Sequence, residues 1–130
     1  MNLLVRFALG AMLPPAHGLP GAAELDLDAF VVRFRRDTSA TMWLGTVASA
    51  IVFVCLPVFT IGVPLPAFLL PAAWRDRHAD RMAEHPLYLV RSAALMLKLV
   101  VGLQWAAHPR IREAFGLPPY PDDPDTWRTA

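Results

Sequence analysis

Charge is scarce in this sequence. Of its 130 residues 18% are charged and 55% hydrophobic, where soluble domains carry about 25% charged residues. From Thr38 to Trp74 there is no formal charge at all, a run of roughly 37 positions where ~20 suffice for one helical crossing of a bilayer. Such a chain is not expected to hide all its apolar surface within itself. Cysteine is nearly absent too: Cys55 alone excludes an internal disulfide, and its place between Val54 and Leu56 reads as a small packed hydrophobe. The seven glycines are isolated, so no phosphate-cradling loop is present. No Gly-x-Ser-x-Gly elbow, His-Glu-x-x-His pair or Cys-x-x-Cys pair occurs. Twelve basic and eleven acidic side chains nearly cancel and are interspersed, without the basic stripe that follows a phosphate backbone, and nucleic acid is excluded as a partner.

The histidines are the remaining candidates for chemistry. His78 and His85 share a helical spacing with Asp76, Asp80 and Glu84 nearby, but no recognised metal pattern supports ligation. His85 precedes Pro86 and His108 precedes Pro109, so both are expected to cap helix entrances. His17 sits in a turn, which does not suit haem ligation from a helix interior. Asp122-Asp123 lies in a tail with nothing to shift its pKa values. The residues offer no catalytic, cofactor or metal site, and the chain is not expected to be an enzyme.

What is present reads as an all-α, irregular helical bundle. Asn2 to Leu13 is an apolar helix, expected to be buried nearly all round, that Pro14-Pro15 stops. A turn at His17 to Gly21 follows, then an amphipathic helix to about Asp37, with Glu24, Asp26 and Asp28 at its positive end and Leu27, Phe30, Val31 and Phe34 on its apolar stripe. A helix starting near Ser39 should end or kink between Pro57 and Ile61, with irregular chain through Pro64, Pro66 and Pro71. Arg75 to Glu84 is a charged helical stretch that a solvated face accounts for. Pro86 opens a helix to about Ala107, interrupted by Lys98 and Gln104, and a short helix from Arg110 to Phe115 is closed by Gly116. Residues 1–117 form one domain, and 118–130 form an extended Pro/Asp-rich arm in which Tyr120 and Trp127 are the anchors onto a partner. Arg33, Arg35 and Arg36 precede the apolar segment 38–74, and Arg75, Arg77 and Arg81 follow it. That symmetry suits an element dipping into one leaflet, or a hairpin, better than a single crossing. Trp43 and Trp74 stand where amphipathic rings favour the headgroup level, and Trp43, Phe53, Phe59, Phe68 and Trp74 are expected to face lipid or partner.

Three stretches carry a family resemblance: Phe7 to Pro15 with Gly18-Leu19-Pro20, Asp26 to Phe34, and His85-Pro86-Leu87-Tyr88-Leu89-Val90-Arg91 through Leu97-Lys98 to His108-Pro109-Arg110-Ile111-Arg112-Glu113-Ala114-Phe115-Gly116-Leu117. Taken in order, they resemble the helical module that accompanies flavin-dependent oxidoreductases of the glucose-methanol-choline class. That module looks fused ahead of the flavin domain in long-chain alcohol oxidases and separate, as a small subunit, in gluconate and glucose dehydrogenase complexes. The resemblance implies a non-catalytic accessory subunit of a hetero-oligomer. It would dock on a larger flavoprotein that holds the FAD, stabilise it, and anchor it at the membrane where an alcohol or sterol-type substrate partitions. Such small subunits commonly carry a twin-arginine leader, which Met1 to Leu13 lacks, so the cytoplasmic face is the expected location. The alternative, from the apolar runs alone, is a small integral membrane protein of transport or assembly with no oxidoreductase partner.

Overall fold

The computed structural model describes residues 1–121, and among these it contains seven α-helices and no strand. They are α1 (Asn2–Met12), α2 (Leu27–Asp37), α3 (Ala40–Cys55), α4 (Pro57–Thr60), α5 (Ala72–Ala83), α6 (Tyr88–Ala107) and α7 (Pro109–Ala114). Two 3-10 turns, Ala22–Glu24 and Ala67–Leu69, complete the path. Trp127, one of the two expected arm anchors, lies outside the described residues.

Local chemistry sets most of the boundaries. Pro14 and Pro15 end α1 because neither supplies an N–H to continue the ladder. The chain then turns through His17 and Gly18, both at positive φ, and returns close beneath α1. There a Cβ on Gly21 would stand 2.7 Å from the ring of Pro15, so only glycine fits. Ser39 caps α3, its hydroxyl accepting from the Met42 N–H at 3.2 Å. Pro57 ends α3 and starts α4, and His108 caps α7 with its ring nitrogen accepting from the Arg110 N–H at 3.2 Å.

Helix α6 is the axis of the bundle, with α1, α3 and α5 packed around it. By length and composition it is long and apolar enough to cross a membrane. One side of it, Val90, Ala93, Ala94, Leu97, Val100, Val101 and Gln104, is buried within the bundle, while Leu95, Leu99 and Leu103 point outward. Gln104 reaches across to donate to the Leu25 carbonyl, and the Trp105 indole N–H donates to the Pro20 carbonyl at 2.9 Å. These two bonds tie the turn after α1 to the end of α6.

Burial corrects three expectations. Helix α1 buries only one face, Val5, Ala8, Leu9 and Met12, and leaves Leu3 and Arg6 outside. Cys55 is exposed, not packed. The α5 segment is not a fully solvated face, since His78, Ala79 and Met82 lie in the core. In the last two cases the register of the helix decides: Cys55 falls on the outer stripe of α3, and the three α5 residues fall on its inner stripe.

Candidate docking surface

Phe53 was expected at the lipid- or partner-facing surface, and the structure overturns this: it is 0% exposed and sits at the centre of the core. Its ring packs 6.1 Å from Phe7 and 4.9 Å from the ring of His78. The reason is helical phase. Thr46, Val47, Ala50, Phe53 and Val54 recur at spacings of three and four and form the buried stripe of α3. The hydroxyls of Thr46 and Ser49 fold back onto the carbonyls of Met42 and Gly45, at 2.9 and 2.8 Å, so neither is left unsatisfied in this apolar helix.

The same phase produces an outward stripe. Leu44, Ala48, Ile51 and Cys55 lie at i, i+4, i+7 and i+11 on α3, and all four are exposed. The stripe continues into the proline-broken segment, where Val58, Phe59, Leu65, Phe68, Leu69 and Trp74 are exposed. Of the residues singled out from sequence, Phe59 is 75% exposed, Phe68 55% and Trp74 48%. Scattered apolar side chains are ordinary on a protein surface, but here they all fall within one charge-free stretch of sequence. Trp43 is half-buried, lying against Phe34 at 6.4 Å with the Arg35 guanidinium 5.7 Å over its ring. Tyr120 is exposed and carries the Arg112 guanidinium 4.8 Å over its ring. Sequence reading missed Leu44, Ile51, Leu95, Leu99 and Leu103, although a spacing of three and four along α3 and α6 was available to find them.

A polar joint inside the core connects three helices, α3, α4 and α5. His78 is fully buried. Its Nε2 lies 2.8 Å from the Phe53 carbonyl and its Nδ1 lies 2.5 Å from the Thr60 hydroxyl. In an uninterrupted helix the Phe53 carbonyl would accept from the N–H four residues on, but residue 57 is proline and has none. His78 fills that vacancy. A carbonyl can only accept, so Nε2 carries the proton, and the neutral ring takes the Thr60 hydroxyl proton at Nδ1. Burial lowers the His78 pKa, with the bond to Phe53 acting weakly the other way. Both ring nitrogens are therefore engaged in holding α3, α4 and α5 together.

Two of the other histidines, His85 and His108, serve backbone donors. His85 accepts from the Leu87 N–H at 3.1 Å, and His108 caps α7 with its Nε2 3.9 Å from the Asp26 carboxylate. Among the described residues no three His, Cys, Asp or Glu side chains converge as metal ligands. A groove of about 470 Å³ runs between α1 and α5, lined by Leu3, Phe7, Gly10, Ala11, Ala72 and Arg75 among others, with the Arg75 guanidinium 5.6 Å over the Phe7 ring. Comparison with known protein families, curated proteins and solved structures finds no match.

Proposed function

We propose that this chain is a non-catalytic docking subunit, which covers and stabilises a larger FAD-dependent oxidoreductase of the alcohol- or sterol-oxidising kind and holds it at a membrane. The observation that carries the docking role is the outward charge-free face: Leu44, Ile51, Phe59, Phe68 and Trp74 stand in water although the chain has an inward stripe on the same helix that packs well. Leaving such a face exposed forgoes about 25 cal/mol for each Å² of apolar area that a partner or lipid would cover. The flavoprotein identity of the partner rests on the ordered resemblance of Phe7 to Pro15, Asp26 to Phe34 and His85 to Leu117, and Tyr120 belongs to the arm proposed to lie across that partner.

Affinity purification of the tagged full chain from membranes, in mild detergent, tests this reading. The expected result is a larger co-purifying chain with bound flavin absorbance. Recovery of the 14.4 kDa chain alone under these conditions contradicts it. The cytoplasmic side belongs to the same proposal and is read by protease accessibility in sealed vesicles.

The length and apolar character of α6 favour a second reading, an integral membrane protein. Alkaline carbonate extraction separates the two: a docked subunit is released from membranes, whereas a spanning chain stays with them.

A further inference from the structure

We infer that the edge formed by α4 and α5 inserts shallowly into one leaflet of an anionic bilayer, with Val58, Phe59 and Trp74 in the acyl boundary and Arg77 and Arg81 on the phosphates. The inference deepens the membrane part of the proposed function and rests on that reading.

Charge is unevenly distributed around α5. At about 100° per residue, Trp74 and Arg81 share one flank with Arg77 next to them toward the outer face, Asp76 lies on the other flank, and Asp80 stands about 60° from Arg77 on the outer face. The inward positions between them hold His78, Ala79 and Met82. His78 marks which neighbour lies on which side: it borders the Trp74 and Arg81 flank and bonds Thr60 of α4. Helix α4, with exposed Val58 and Phe59, is therefore beside the arginines. Asp76 instead faces the α1 groove, which it helps to line. Among the described residues neither Arg77 nor Arg81 has an ion-pair partner, so both are available to an external anion.

Depth fits as well. At a rise of 1.5 Å per residue, Arg77 and Arg81 lie roughly 4.5 and 10 Å along the axis from Trp74. An interfacial element buries its apolar face about 5–10 Å into the headgroup/acyl boundary, and the long arginine side chains can reach back from beside an inserted Trp74 to the phosphates. Glu84 follows on this flank about 15 Å from Trp74, out in water. The outward stripe of α3 from Leu44 to Cys55 is about 16 Å long, half of a ~30 Å hydrocarbon core, which suits one leaflet and not a crossing. Apolar residues backed by unpaired arginines, with Asp76 turned toward the α1 groove, complement an anionic lipid surface.

Co-sedimentation of the full chain with phosphatidylcholine vesicles, with and without phosphatidylglycerol, tests the inference. The wild-type chain binds the anionic vesicles more tightly, and added salt weakens this. The pair Arg77→Gln and Arg81→Gln lowers binding to anionic vesicles about 30-fold and leaves neutral vesicles unaffected. The pair Phe59→Ala and Trp74→Ala lowers binding to both roughly tenfold or more. All four side chains are exposed, and an unchanged helical circular dichroism spectrum shows that the variants are folded. Absence of binding to either vesicle, or equal binding to both that ignores the arginines, overturns the inference. Flavoprotein co-purification is read independently, so its failure leaves the vesicle result standing.

Discussion

At the residue scale the molecule turns on His78. A proline four residues after Phe53 removes an N–H, and a histidine from another helix replaces it. Replacing the ring by Ala leaves the Phe53 carbonyl unpaired in the core and opens a cavity, so His78→Ala is expected to cost about 3 kcal/mol and lower Tm by about 10 °C. The variants His85→Ala and His108→Ala, which each lose one bond to an exposed backbone N–H, are expected to cost about 1 kcal/mol each. Differential scanning calorimetry on the three variants checks the ranking; equal losses would deny His78 its special role. The pH dependence follows from the burial of the same ring. The folded pKa of His78 lies below its ordinary value of 6.5, so the unfolded chain binds more protons and stability rises with pH. The His78 contribution is complete above about pH 6.5 and declines as pH falls below it. Urea midpoints should drop between about pH 7.5 and pH 5 in the wild type and drop less in His78→Ala; identical slopes would show that another group is responsible. None of this pairing was visible in the sequence, because a contact between positions 53 and 78 has no local signature, and a solvated face already accounted for the charges around His78.

The element scale shows what patterning alone reveals. The start of α3 was readable from Ser39 before an apolar run and its end from Pro57, and the cap of α7 from His108-Pro109, whereas α6 begins at Tyr88 without a side-chain cap and His85 accepts instead from the Leu87 N–H. The outward placement of Phe59, Phe68 and Trp74 coincides with the charge-free segment where exposure was expected. The burial of Phe53 was not anticipated, because a run that is apolar on every side has no polar face to mark the outside; phase is then set by what packs against it. Glycines separate packing from propensity in the same way. Gly102 lies inside α6 with open space around it, whereas Gly21 is pressed against Pro15. Gly102→Ala is therefore expected to stabilise by about 1 kcal/mol, and Gly21→Ala to destabilise by about 1–3 kcal/mol. Chemical denaturation measures both, and opposite signs from these would show that the turn after α1 is looser than its geometry.

For the whole molecule, composition gave the right architecture for a simple reason: helices satisfy their own backbone, and prolines punctuate where each must stop. Composition also signalled that apolar surface exceeds what one small core can enclose, and the outward stripes of α3 and α6 show where the excess lies. What those stripes meet is not written in their own residues, since Leu and Phe pack as readily on a protein as in lipid. Only the placement of Arg77 and Arg81 beside Trp74 and α4, with Asp76 toward the α1 groove, distinguishes a direction. The account stands on an unmet demand for an external cover, and sedimentation velocity of the isolated full chain in detergent-free buffer addresses it most directly. It predicts concentration-dependent self-association that dissolves on addition of mild detergent; a single, stable 14.4 kDa species at every concentration, unchanged by detergent, would contradict it.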